Sequence, residues 1–297
     1  MLRKFAVLLA LFAFLTPLLW AAYPVTVLDE RGKEITLSHR PERIVTILPL
    51  YAEIALDLGA GERIVGIAQS ADTPPELIQL PKVGTVFNPS VEEIVALQPD
   101  LVLGAFDPVR LTLEDAKIVV FLGGKSGGFV DRITEIFKLI RNVGLLLWGD
   151  SERADRLIGH LAEEILAVEE KILDRPKVTV AVLYRGSLEA PPFAPGPGSP
   201  EHEIVTRSGG LDVFSDITPF GSEISVEALL QRDPEAIITD PSQIEFFVRD
   251  ERLRNLQAVR NEKVLGVRAS QWTSSRVSQT LQMVAQFLHP DAFEGHP

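Results

Sequence analysis

Between residues 130 and 173 the chain carries almost no strand signal, while on both sides of that stretch short Ile/Val-rich strands alternate with helical segments. Such a chain must place two α/β units on either side of a helical connection. Residues 130–147 have the spacing of one helix, and Gly149-Asp150 breaks it. Residues 151–173 have the spacing of a second. Leu157, Leu161, Ile165, Val168 and Ile172 recur there at three- and four-residue steps, giving one apolar stripe. Ser151 is the expected N-cap, with Glu152 and Asp155 in the first turn. At 1.5 Å per residue this helix runs roughly 35 Å, enough to bridge two lobes.

The flanking pattern is specific enough to place elements. Residues 25–27 and 34–37 read as a hairpin around Arg31-Gly32-Lys33. Residues 43–48, 64–67, 101–103 and 118–121 read as buried strands, with helices at 51–58 and 90–97. After Arg175-Pro176 come strands at 178–183, 236–239 and 263–267 and helices at 203–208 and 274–288. A Pro/Gly-dense loop spans 191–200. Strands alternating with helices imply mainly parallel sheets covered on both faces. The expected fold is α/β: two Rossmann-like lobes with mainly parallel sheets, joined by a single long rigid helix. Its boundaries are an N-terminal lobe at 23–147, a linking helix at 148–175 and a C-terminal lobe at 176–297.

The first 22 residues stand apart. Arg3 and Lys4 precede an apolar run from Phe5 to Leu15, Pro17 interrupts it, and Trp20-Ala21-Ala22 supplies small residues for cleavage. This reads as a secretory signal peptide and places the protein in the periplasm, a retained anchor being the alternative. The 297 residues carry a net charge of −12 and no cysteine. The charge disfavours nucleic acid as a partner. The lack of cysteine removes disulfides, thiolate metal sites and a cysteine nucleophile, and argues against a lipoprotein.

One segment occurs twice. Ser90-Val91-Glu92 runs on to Pro99, and Ser225-Val226-Glu227 runs on to Pro234, without a gap and 135 residues apart. In each copy serine can cap a helix whose first turn carries a glutamate, and proline precedes a buried strand. The pattern points to two similar lobes, each showing a glutamate at an equivalent place; two generic helix–strand units are the plainer reading.

These stretches, with Arg43-Ile44-Val45-Thr46-Ile47-Leu48-Pro49, Leu58-Gly59-Ala60-Gly61, Leu80-Pro81-Lys82-Val83-Gly84, Pro191-Pro192-Phe193 and Ser208-Gly209-Gly210, make the chain resemble the class III periplasmic-binding family for cobalamin, ferric siderophores and haem. The resemblance covers the whole chain after the leader. It implies a monomeric, non-enzymatic solute-binding component of an ABC importer, with the permease and its ATPase subunits as partners and a metal chelate as cargo rather than cofactor. It also implies that one glutamate on each lobe docks on the permease, and these map to Glu92 and Glu227. The cleft aromatics of cobalamin-binding members fall at Ser70, Val86, Phe193 and Phe220, and only two of those are aromatic here. An acidic–basic pair falls near Gln271 and Ser275. Trp272 and Arg276 lie beside it and can supply stacking and charge. Tyr51, Phe87, Phe106, Arg110 and Arg185 follow strand ends, where α/β clefts open, and are further candidates. Converging arginines would favour an anionic chelate.

Other chemistries are weaker. Gly123-Gly124-Lys125-Ser126-Gly127-Gly128 ends like a phosphate loop, but Val119 stands where its opening glycine belongs. Among His39, His160, His202, His289 and His296, only His202 is placed for a cleft, so capture of a bare metal ion is a lesser alternative, and His202 is at most an axial contact to haem iron. No Gly-x-Ser-x-Gly elbow or His-Glu-x-x-His helix appears. A hydrolase using paired carboxylates is the alternative of another class.

Overall fold

The protein was analysed as a computed structural model, which describes residues 22–294 apart from Ser126, Gly127 and Phe129. The expected signal peptide, Ala22 aside, lies outside the described residues. So do His296 and the middle of the glycine-rich loop. No helix among the described residues is long and apolar enough to cross a membrane.

The described residues open with an antiparallel hairpin, β1 (Val25–Leu28) and β2 (Glu34–Leu37), whose alternating burial leaves one face on the core. The first lobe follows. Its sheet holds β3 (Ile44–Thr46), β4 (Ile64–Gln69), β5 (Lys82–Thr85), β6 (Asn88–Pro89), β7 (Leu101–Leu103) and β8 (Val119–Phe121), in the order β6-β5-β4-β3-β7-β8. All neighbours are parallel except β5 and β6. Ile44, Val45, Leu101, Val102 and Leu103 are fully buried, as strands covered on both faces require.

The second lobe has the smaller sheet. Its sheet holds β9 (Val178–Val182), β11 (Gly210–Asp212), β13 (Ala236–Thr239) and β14 (Val264–Gly266), all parallel, in the order β11-β9-β13-β14. Beside it, β10 (Phe193–Ala194) and β12 (Ser222–Glu223) pair as a short antiparallel ribbon.

Two helices connect the sheets, Ile133–Trp148 and Glu152–Ile172. Leu161, Ile165, Val168 and Ile172 of the second are buried. They belong to one continuous apolar cluster that reaches Leu139 and Val143 in the preceding helix and Leu281, Val284 and Leu288 in the closing helix Val277–Leu288. The connecting helix is therefore part of a shared core and not a free tether. Its start differs from the expected one. The Ser151 hydroxyl donates to Asp155 Oδ2 at 2.6 Å, and Asp150 Oδ1 accepts from the Glu152 N–H at 3.0 Å. The aspartate serves the helix end because it stands one residue further out and accepts more strongly.

Sequence reading missed the elements with little apolar pattern. Among them are the two-residue strands β6, β10 and β12, the edge strand β11 and the helix Val109–Asp115; the strand β5 and the short helices Ile244–Val248 and Gln257–Arg260 also went unread. Most lie at a sheet edge or on the surface, where side chains facing water thin the pattern, and β11, with Gly210 and Asp212 buried around exposed Leu211, is too short and polar to show one.

Candidate functional site: the facing carboxyl edges of two sheets

Ligands of parallel α/β sheets sit beyond the carboxyl ends of the strands. In this molecule those ends face one another across the two lobes. Asp72, after β4, accepts from the Ser270 N–H, after β14, at 3.2 Å. Asp57, at the end of the helix Pro49–Asp57, accepts from the Ser275 hydroxyl at 2.5 Å, and Arg276 reaches the same carboxylate at 3.8 Å. On another flank Glu203 accepts from the Ile133 N–H at 2.9 Å, where the first connecting helix begins. These contacts bracket an inter-lobe cleft.

Glu53 lies next to the Asp57 contact. It is 8% exposed, and its Oε2 has no hydrogen-bond partner. Burial pushes its carboxyl up, against the pull of the Ser274 hydrogen bond and of Arg276, with Asp57 and Asp72 adding to the rise.

The expected site residues separate into two groups. Tyr51, Arg110, Arg185 and Trp272 are corrected: none offers a surface to a ligand. Tyr51 is 1% exposed, and its hydroxyl accepts from the Gly123 N–H at 2.7 Å, so it holds the glycine-rich loop from below. Burial pushes its phenol up. Trp272 is 1% exposed and fills the second lobe's core. Arg110 pairs with Glu30 and with Asp107 at 2.9 Å. Arg185 pairs with Asp250 at 2.9 Å and donates to the carbonyls of Phe246 and Ala190, each at 2.9 Å, and of Leu188. Both guanidiniums are spent inside the protein because a buried cation must be paired and saturated. Strand-end position alone could not distinguish an inward arginine from a cleft arginine.

The second group stays at the surface. Phe87, in the turn after β5, and Phe220, before β12, are almost wholly exposed at 91% and 94%. Phe193 is 39% exposed. Val86, Phe87 and Phe106 line an apolar hollow of about 390 Å³ on the first lobe. Ser70 and Gln271 are half-buried; Gln271 is engaged by the Arg268 N–H at 2.9 Å. Of the pocket of about 350 Å³ between the lobes, lined by Asp131, Arg132, Ser199, His202, Glu203 and Arg207, sequence reasoning found only His202. His202 Nδ1 lies 2.8 Å from Asp212 Oδ2 there, an arrangement that fixes the ring. Ser199 caps that stretch by accepting from the His202 N–H, and the signal the sequence offered was His202 itself, placed for a cleft beside the Pro/Gly loop.

Glu92 and Glu227 lie outside the cleft. Both are exposed in the first turns of the helices Val91–Ala96 and Val226–Arg232. Ser90 caps one by accepting from the Glu93 N–H at 3.3 Å, and Ser225 caps the other by accepting from the Ala228 N–H at 3.0 Å.

The periplasmic binding protein family matches residues 44–270, a span that covers both sheets and the connecting helices. The chain belongs to that family. This periplasmic binding protein is 25% identical over 283 residues to an ABC transporter substrate-binding lipoprotein of Bacillus subtilis, across 92% of this chain and 88% of the relative. It is 30% identical over 203 residues to the vitamin B12-binding protein of Salmonella typhimurium, across 66% of this chain and 71% of the relative. In fold it matches the periplasmic heme-binding protein RhuT of Roseiflexus with a TM-score of 0.74 at 21% identity, across 84% of this chain and 99% of that one. The family is one of transport substrate-binding proteins rather than enzymes. One expectation is overturned. The sequence reading placed the chain free in the periplasm and outside the lipoproteins, yet the Bacillus subtilis relative is a lipoprotein.

Proposed function

We propose that this chain is the solute-binding component of an ABC importer, capturing a metal chelate of the iron–siderophore, haem or corrinoid kind between lobes 23–147 and 176–297. The observation that carries the reading is the pair of exposed rings, Phe87 and Phe220, one from each lobe at carboxyl edges that face each other. A bulky ligand with apolar faces buries such rings, and a few polar anchors orient it. The similarity to a vitamin B12-binding protein and the fold shared with a heme-binding protein support the same class. Residues 148–175 act as the linking helix. Its shared core with both lobes supports a small hinge rather than a wide closure. Glu92 and Glu227 form the permease-docking pair, since two exposed carboxylates on separate lobes can meet arginines and fix orientation. The protein acts as a monomer, with the permease and its ATPase subunits as partners.

Trp272 stands two residues from Ser270, which meets Asp72 across the lobes, so intrinsic tryptophan fluorescence is expected to respond to binding. Titration with cyanocobalamin, haem and ferric siderophores is expected to give saturable quenching by at least one class. No saturation with any of them would refute the reading.

A further inference from the structure

We infer that the cleft selects chelates without net negative charge, an assignment of substrate class that rests on the binding role proposed above. The cations that strand-end position would offer to an anionic ligand are withdrawn. Arg110 is held by Glu30 and Asp107, and Arg185 by Asp250 and three carbonyls. Of the remaining cations at these edges, Lys125 pairs with Asp131, and Arg276 turns to Asp57. Among the described residues only Arg132 and Arg268 are exposed there without an ion pair, and each stands on a different lobe. Arg132 shares the inter-lobe pocket with Arg207, but the Arg207 guanidinium is already paired with Glu169 at 2.6 Å and lies 3.7 Å from Glu203.

Carboxylates outnumber them. Among the described residues Glu189 and Glu223 are exposed at the same edges without an ion pair, Asp72 and Asp240 are half-buried there, and the whole chain carries −12. A polyanion approaching this cleft meets like charge, which costs affinity and on-rate. What the cleft does offer is apolar. Phe87 and Phe220 expose almost their entire rings, Phe193 exposes part of its ring, and Phe106 with Val86 completes a hydrophobic wall. Exposed aromatic surface concentrated on facing lobes is suited to an uncharged chelate with broad apolar faces.

The test compares chelates of similar size and different charge. A ferric trishydroxamate is uncharged, a ferric triscatecholate is a trianion, and cyanocobalamin supplies an uncharged corrinoid. Fluorescence titration of the full chain is expected to show an uncharged probe binding at least about tenfold tighter than the triscatecholate. Phe220→Ala, at a 94% exposed position that cannot disturb the core, is expected to weaken that binding about tenfold. Phe87→Arg is expected to move the neutral-to-trianion ratio about tenfold toward the trianion. Equal or tighter binding of the triscatecholate, or of haem with its two carboxylates, overturns the inference and leaves the binding role standing. Failure of all four probes to bind removes both.

Discussion

Gln98 and Asp233 both hold a left-handed backbone, with φ of 47° and 38°, at the same position of the repeated segment. Each ends its helix directly before a proline and a buried strand. A left-handed conformation costs a non-glycine residue about 1–2 kcal/mol, so its occurrence at matched sites is structural repetition and not coincidence of composition. The two serine caps repeat with it. The glutamates carried in the two first turns are therefore geometric equivalents.

That equivalence gives the first prediction. Glu92→Ala combined with Glu227→Ala leaves ligand affinity unchanged, because both side chains are exposed and outside the cleft. It abolishes delivery. Reconstituted permease and ATPase subunits, supplied with loaded binding protein, measure this. Unimpaired uptake with the double variant would contradict the docking role.

Arg185 and Asp250 give the second. The Asp250 carboxyl is held well below the usual carboxylate range, first by the Arg252 hydrogen bond, against burial, and also by Arg185. A depressed folded value stabilises the protein above the unfolded carboxylate value of about 4, and the gain is lost as pH falls below that. Asp250→Ala leaves Arg185 buried without its partner and is expected to cost about 3–5 kcal/mol at pH 7. Thermal melts from pH 7 to pH 3 should show the deficit shrinking below pH 4. A variant as stable as the parent at neutral pH would show that the pair is dispensable.

The Arg185 result also marks where the sequence stopped being informative. Strands with every side chain buried, such as β7 and β13, were legible because both faces demand apolar residues. The stripe from Leu161 to Ile172 was legible because helical spacing and burial coincide. Whether a strand-end arginine turns outward or into the lobe depends on a carboxylate 65 residues later, and no local pattern encodes that. Phe87 and Phe220 were found by position, but their exposure was visible only in three dimensions.

Glu53 gives the third prediction, with the opposite sign. Burial raises its folded value, so the protein is favoured below the unfolded value and loses stability as pH rises through the folded one. The groups facing it are Ser274 and Arg276 from the second lobe and Asp57 and Asp72 from the first. Glu53→Gln removes the buried charge and is expected to raise the melting temperature by about 2–4 °C at pH 7, converging with the parent near pH 4. A lower melting temperature at pH 7 would mean that the ionised carboxylate is stabilising.

The long helix gives the fourth. Because its buried stripe joins a core common to both lobes, closure on ligand is expected to be small. Small-angle scattering of free and loaded protein should give superimposable profiles. A marked compaction on binding would show that the lobes swing about the helix.

Capture of a metal chelate between the lobes is what the chain is proposed to do. Its most direct measurement is co-elution: the purified chain is incubated with cyanocobalamin, haem or a ferric siderophore, passed through gel filtration, and the protein peak is read in the visible. One equivalent of at least one chromophore is expected to be retained, with a dissociation constant of about 1 μM or tighter. A colourless protein peak with every chelate would contradict it.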